Sequence, residues 1–102
     1  MLMEAMDYDE AMGVLCSWEE RFVLVVAFVE PGVSLRPFYG ILTCHTESPS
    51  MLRAAIHVGL DHPVRIAFPS GTFHDAEWVP GMEDRGLSVE QGATRVDIFV
   101  ED

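Results

Sequence analysis

The chain has 102 residues, 49% of them hydrophobic and 23% charged, with 17 acidic and 6 basic side chains for a formal net charge of -11. That length suits one domain, residues 1–102, which can bury roughly two-thirds of its unfolded surface without a disulfide or metal staple. The basic residues are all arginine (Arg21, Arg36, Arg53, Arg65, Arg85, Arg95), too evenly spread to form the cationic face that nucleic-acid phosphates or an anionic membrane demand, so neither partner is expected.

The first element predicted is a helix over about Asp7 to Trp18. Asp7 is placed to cap it and Glu10, three residues on, completes a capping-box pattern. Ala11, Val14, Leu15 and Trp18 fall on one stripe. Glu19, Glu20 and Arg21 then form a polar hinge into Phe22-Val23-Leu24-Val25-Val26-Ala27-Phe28-Val29, a charge-free block whose length and Val/Phe content read as a strand buried on both faces and central in the sheet. Glu30-Pro31-Gly32 turns the chain back. A second strand is predicted from about Val33 to Cys44, with Pro37 marking a bulge, an edge or a break into two pieces, and Gly40 a sharp bend. His45 to Ser50 reads as a loop leading to a short helical turn at Ser50-Met51-Leu52.

Further strands are predicted at Arg53 to Val58, Val64 to Phe68 and Thr72 to Val79, separated by turns at Gly59 to Pro63 and Pro69-Ser70-Gly71. Pro80-Gly81 ends the last of these, and Met82 to Gly86 is the most exposed loop. Leu87 to Glu90 and Thr94 to Glu101 form a closing hairpin around Gln91-Gly92. In its second strand Val96, Ile98 and Val100 face one way and Arg95, Asp97, Phe99 and Glu101 the other. The sum is a mainly β (α+β) domain: an N-terminal helix, then five to seven strands in a small, strongly bent antiparallel sheet or barrel.

Helix first and barrel second resembles the layout of SH3-like and Sm-like barrels. In the Sm pattern a Gly in the second strand is followed by an aspartate and an asparagine that help bind RNA. Here Gly40-Ile41-Leu42 leads to Thr43-Cys44-His45-Thr46-Glu47, with neither residue in place, and the second Sm motif is absent. RNA binding is therefore not implied by the layout.

No spacing signals a metal centre. His45, His57, His62 and His74 do not form a His-x-x-x-His pair, and Cys16 and Cys44 are too far apart for a zinc ribbon. On a strand, His74 and Ala76 share one face while Asp75 and Glu77 share the other. Cys44 and His45 are adjacent, which sends them to opposite faces of a strand. No nucleophile elbow or phosphate loop is present. No metal, cofactor or catalytic residue is assigned.

The strongest binding candidate is His74-Asp75-Ala76-Glu77-Trp78, with the Met82-Glu83-Asp84 loop after it. It sets an aromatic among carboxylates able to receive an arginine or amine; the competing reading packs Trp78 in the core or against the N-terminal helix and leaves the acids solvated. Phe38 and Tyr39, beside Arg36-Pro37, are the second candidate.

Three functions compete. The first is a non-enzymatic binding or adaptor domain that self-associates as a dimer or higher oligomer, covering exposed strand edges. The second is an acidic inhibitor or immunity-type protein that neutralises a basic protein or cationic ligand, argued from net charge. The third is a small metal-dependent enzyme using His74, Glu77 or His45. The longest apolar run is far below the ~18 residues needed to span a bilayer. Met1 to Asp7 lacks the basic and apolar regions of a signal peptide. A cytoplasmic protein with reduced Cys16 and Cys44 is expected.

Overall fold

The structure is a computed structural model that describes residues 5–29, 33–34, 36–59 and 63–101. One helix, α1 (Tyr8–Ser17), precedes β1 (Phe22–Val29), β2 (Val33–Ser34), β3 (Phe38–Ser48), β4 (Met51–His57), β5 (Pro63–Pro69), β6 (Phe73–Trp78), β7 (Gly86–Gln91) and β8 (Thr94–Val100). The helix starts where a cap exists: the Asp7 carboxylate accepts the Glu10 amide at 2.8 Å, and Asp9 and Glu10 sit at the positive end of the helix dipole. Its inner stripe buries Ala11, Met12 and Leu15, and Trp18 at its C-terminal end is buried with them. Past the helix, Glu20 N donates to the Leu42 carbonyl at 2.7 Å and Leu42 N to the Arg21 carbonyl at 3.0 Å, which anchors the polar hinge to β3.

All strand pairs are antiparallel, in the order β5-β4-β3-β1-β8-β7-β6, with β2 beside β1. β1 is central, as its composition predicts. Pro37 does split the second predicted strand: β3 pairs with Phe22 to Val25 of β1, and β2 with Phe28 and Val29. The turn predicted at Glu30-Pro31-Gly32, most of the connection at Gly59 to Pro63, and His62 lie outside the described residues.

Two local expectations are corrected. His45 to Ser48 is not a loop but the outer part of β3, and Met51-Leu52 opens β4 rather than a helical turn. The pairing of Thr46 with Leu52, Cys44 with Ala54 and Leu42 with Ile56 explains it. Cross-strand packing onto the core outweighs the loop-like composition of the segment. The reversal is confined to Pro49-Ser50, where the Ser50 amide donates to Ser48 Oγ at 3.3 Å.

The sheet is strongly bent but open. Its ends, β5 and β6, are separated by only a single 3-10 turn, Ser70–Thr72, so the two ends must approach each other. Gln91 Nε2 bridges towards β5 by donating to the Ala67 carbonyl at 3.0 Å, and the Tyr8 hydroxyl donates to the Phe68 carbonyl. A closed barrel is nevertheless not formed among the described residues. Pro63 and Pro69 remove amide donors from both ends of β5, and the free edge of β6 is taken by Met6, whose amide donates to the Ala76 carbonyl at 2.7 Å. Of the two forms expected, sheet or barrel, the chain adopts the sheet.

The helix packs inside the bend, against β3, β6 and β7. Val23, Val25, Leu42, Ile56, Phe68, Leu87, Val89 and Ile98 are fully buried there, each worth about 1.5–3 kcal/mol of apolar transfer. Here the reading of β1 is corrected too. Val23, Val25 and Ala27 are buried, but Phe22 is exposed and Leu24, Val26 and Phe28 are half-exposed. Among the described residues there is one α-helix, of ten residues, enough to cover only one face of the strand.

Candidate functional site

Alternation along β6 separates the residues of the strongest sequence candidate. Trp78 faces inward opposite Leu87, half-buried, with its ring centre 6.4 Å from that of Trp18. Glu77 is exposed on the other face opposite Ser88, and Asp75 lies opposite Glu90, its Oδ1 accepting the Ala76 amide at 2.9 Å. His74 is exposed in the bulge between Phe73 and Asp75. Trp78 therefore belongs to the packing beneath α1, and the carboxylates point away from it. Glu83 and Asp84 lie in the exposed turn that follows.

Phe38 and Tyr39 divide in the same way. Phe38 packs against the core. Tyr39 is 59% exposed, the most open of the large apolar side chains described, and its ring centre lies 5.4 Å from that of Phe22. Because Leu42 is inward, Ile41 and Tyr39 must both be outward. The registers then assemble an outward apolar group: Phe22 opposite Ile41, and Leu24 flanked by Tyr39 on one side and Phe99 on the other. Phe22 is 41% and Ile41 40% exposed. Phe99 is held over the backbone of Gly86, where an added Cβ would stand 3.0 Å from its ring. Glu101 closes the edge of a shallow hollow formed with Phe22, Leu24 and Tyr39.

This group escapes a reading that buries the block on both faces. The available signals were the outward Phe99 in an otherwise polar row, and the shortage of helix to cover a second face.

The rest of the outward face is mixed, with Val26 and Phe28 half-buried along β1 and charged side chains concentrated on β6, β7 and β8. Asp75, Glu77 and Glu90 project from β6 and β7, and Arg95 from β8. The Arg95 guanidinium lies 4.2 Å from the centre of the Phe28 ring. Its Nε stands 3.5 Å from Asp97 Oδ1, a buried oxygen that no hydrogen bond reaches. At that distance the contact is a charge pair, too long to be a hydrogen bond. On the β3–β4 hairpin, Arg53 Nε meets Glu47 Oε2 at 2.6 Å, and this hydrogen bond holds the Glu47 carboxyl below its ordinary range. Both partners are exposed, so the pair adds little stability.

His45 and His57 are exposed on the outward faces of β3 and β4, with Thr43 Oγ1 3.0 Å from His57 Nε2. Cys44 points inward, away from His45; its Sγ donates to the Leu15 carbonyl at 3.9 Å and its amide to Glu19 Oε2 at 2.9 Å. Burial, reinforced by the neighbouring Cys16 thiol, pushes the Cys44 thiol up to about 12, the opposite of what a nucleophile needs. Both cysteines are free. Among the described residues no group of three or more His, Cys, Asp or Glu converges as a metal site, and no helix is long and apolar enough to cross a membrane. Compared with known proteins, the chain matches no family model, no curated protein and no solved structure.

Proposed function

We propose that this protein is a non-enzymatic binding domain of the cytoplasm that self-associates through the outward face of β1 and β3. The observation that carries the reading is the contiguous apolar group in which Phe22, Tyr39 and Ile41 are exposed and Leu24 and Phe99 half-buried. Grouped exposed apolar side chains on a small acidic domain mark an interaction surface more often than single ones do. The strand edges are weaker candidates, since prolines flank β5 and Met6 covers β6. Light scattering after size exclusion tests the reading. Dimer is expected at high micromolar concentration, and Tyr39→Glu should return the protein to monomer with an unchanged circular dichroism spectrum. A wild-type monomer at about 500 µM, a concentration at which even weak small interfaces are populated, would overturn it.

A second reading, an acidic protein that neutralises a basic protein or cationic ligand, is favoured by one observation. Asp75, Glu77 and Glu90 project together from β6 and β7. Pull-down on an immobilised basic protein in low salt tests it, with loss in Asp75→Ser/Glu77→Ser as the expected result and undiminished capture as the result against it.

A further inference from the structure

The outward face carries a row of side chains that is complementary to itself. Ile41 pairs with His57 on β4 and with Phe22 on β1, and the Glu101 amide donates to the Phe22 carbonyl at 2.8 Å, continuing the ladder past β8. Read across four strands, the row is His57, Ile41, Phe22, Glu101. All four side chains are exposed. A ring nitrogen stands at one end, a carboxylate at the other, and two apolar side chains lie between, with neighbours spaced by about 4.8 Å.

Resting on the self-association reading above, we propose that the partner is a second copy related by a two-fold axis that runs along the strands, between β1 and β3. Rotation about such an axis lays each row on its own reversed image. Ile41 then meets Phe22 of the second copy, and Tyr39 meets its Leu24. His57 meets its Glu101, and each contact occurs twice. The alternative two-fold, with its axis running across the strands, would set His57 on His57 and Glu101 on Glu101, which leaves two carboxylates facing each other. Thr43 Oγ1 engages His57 Nε2 at 3.0 Å, so Nδ1 is the ring nitrogen left to face the carboxylate. A different partner would have to supply its own matching order; the second copy already has it.

The face curves outward around the core, so the closest contact runs along β1 and β3 at the axis, and the long His57 and Glu101 side chains reach across its rim. A contact of that kind belongs with transient complexes, populated at high micromolar concentration.

Sedimentation equilibrium on wild type, His57→Glu, Glu101→Arg and the double variant tests the arrangement. His57→Glu sets carboxylate against carboxylate twice in each dimer and should weaken association about tenfold. Adding Glu101→Arg restores opposite charges at both contacts and should recover most of that loss. Tyr39→Glu reports separately on the face, because it removes apolar contact in any arrangement. If wild type dimerises and Tyr39→Glu abolishes it, while His57→Glu has no effect or the double variant is not rescued, the axis proposed here is wrong and self-association stands. A wild-type monomer overturns both. All the substituted side chains are exposed, and circular dichroism on each variant confirms that the fold is kept.

Discussion

Gly40 lies against the main chain of His57: a Cβ built on it would stand 2.2 Å from the His57 carbonyl oxygen and 2.6 Å from its carbonyl carbon. No side-chain rotation relieves a clash with backbone. The close approach occurs where β4 runs out over β3, and it is part of how so few strands curl around one helix.

Gly40→Ala should therefore cost about 3 kcal/mol, the upper end for overpacking a well-packed site. Gly13 is the control. It sits within α1, exposed, with nothing within 4 Å of a built Cβ, so Gly13→Ala should stabilise by roughly 0.5–1 kcal/mol through helix propensity. Urea unfolding of the two variants checks the pair. Equal effects would mean that the β3–β4 approach is looser than described.

The two faces of β6 predict opposite sensitivities one residue apart. Trp78 packs against Trp18 beneath the helix, and Trp78→Ala should lose about 3 kcal/mol. Glu77 is exposed, and Glu77→Ala should stay within about 0.5 kcal/mol of wild type. Thermal denaturation compares them; a tolerated Trp78→Ala would detach this residue from the core and return it to the binding surface.

That division also marks what the sequence makes legible. The cap at Asp7, most of the inner stripe of α1 (Ala11, Leu15 and Trp18, with Met12 buried where the pattern places Val14, itself half-buried), the central place of β1, the break at Pro37 and the two faces of β8 follow from local periodicity and turn chemistry. Each depends on neighbours a few residues away. The outer half of β3 and the start of β4 escaped because Thr46 and Leu52 stabilise each other across the hairpin, and composition read along the chain does not register a partner strand. The outward apolar group escaped for a related reason. Phe22, Tyr39 and Phe99 come from three strands far apart in sequence, and only the register sets them side by side.

Alkaline pH should loosen the junction between α1 and the sheet. In the folded protein the Cys44 thiol is pushed from its ordinary 9.0 up to about 12, first by burial and then by the Cys16 thiol, and burial raises the Tyr8 hydroxyl above 10.0. Both groups are neutral when protonated, so the fold favours the protonated forms. The stability they contribute is fully present below pH 9 and is lost as pH climbs from 9 towards 12. The melting temperature should fall steeply across that window. Cys44→Ser, which does not titrate there, should flatten the curve and leave a smaller slope due to Tyr8. Parallel curves for wild type and variant would remove Cys44 from the explanation. The same burial predicts slow alkylation of Cys44 by iodoacetamide at pH 8 in the folded protein and rapid alkylation in urea.

Salt separates the two proposed partners. Each copy carries a formal charge of -11, so two copies repel at long range and their contact must rest on apolar burial at short range. Raising the salt from about 50 mM to about 500 mM shortens the screening length from roughly 14 Å to roughly 4 Å. The repulsion then fades while the contact through Tyr39, Ile41 and Phe22 persists or strengthens. Self-association should tighten several-fold. The His57–Glu101 pairs, exposed at the rim, weaken slightly over the same range, and two such pairs are small beside the repulsion of the whole molecules. Capture of a basic protein by Asp75, Glu77 and Glu90 depends on attraction between opposite charges, so it should weaken over the same range. Sedimentation equilibrium across the salt series reads the sign directly: a dimer that dissociates as salt rises would be held by charge, and the apolar face would not be its interface.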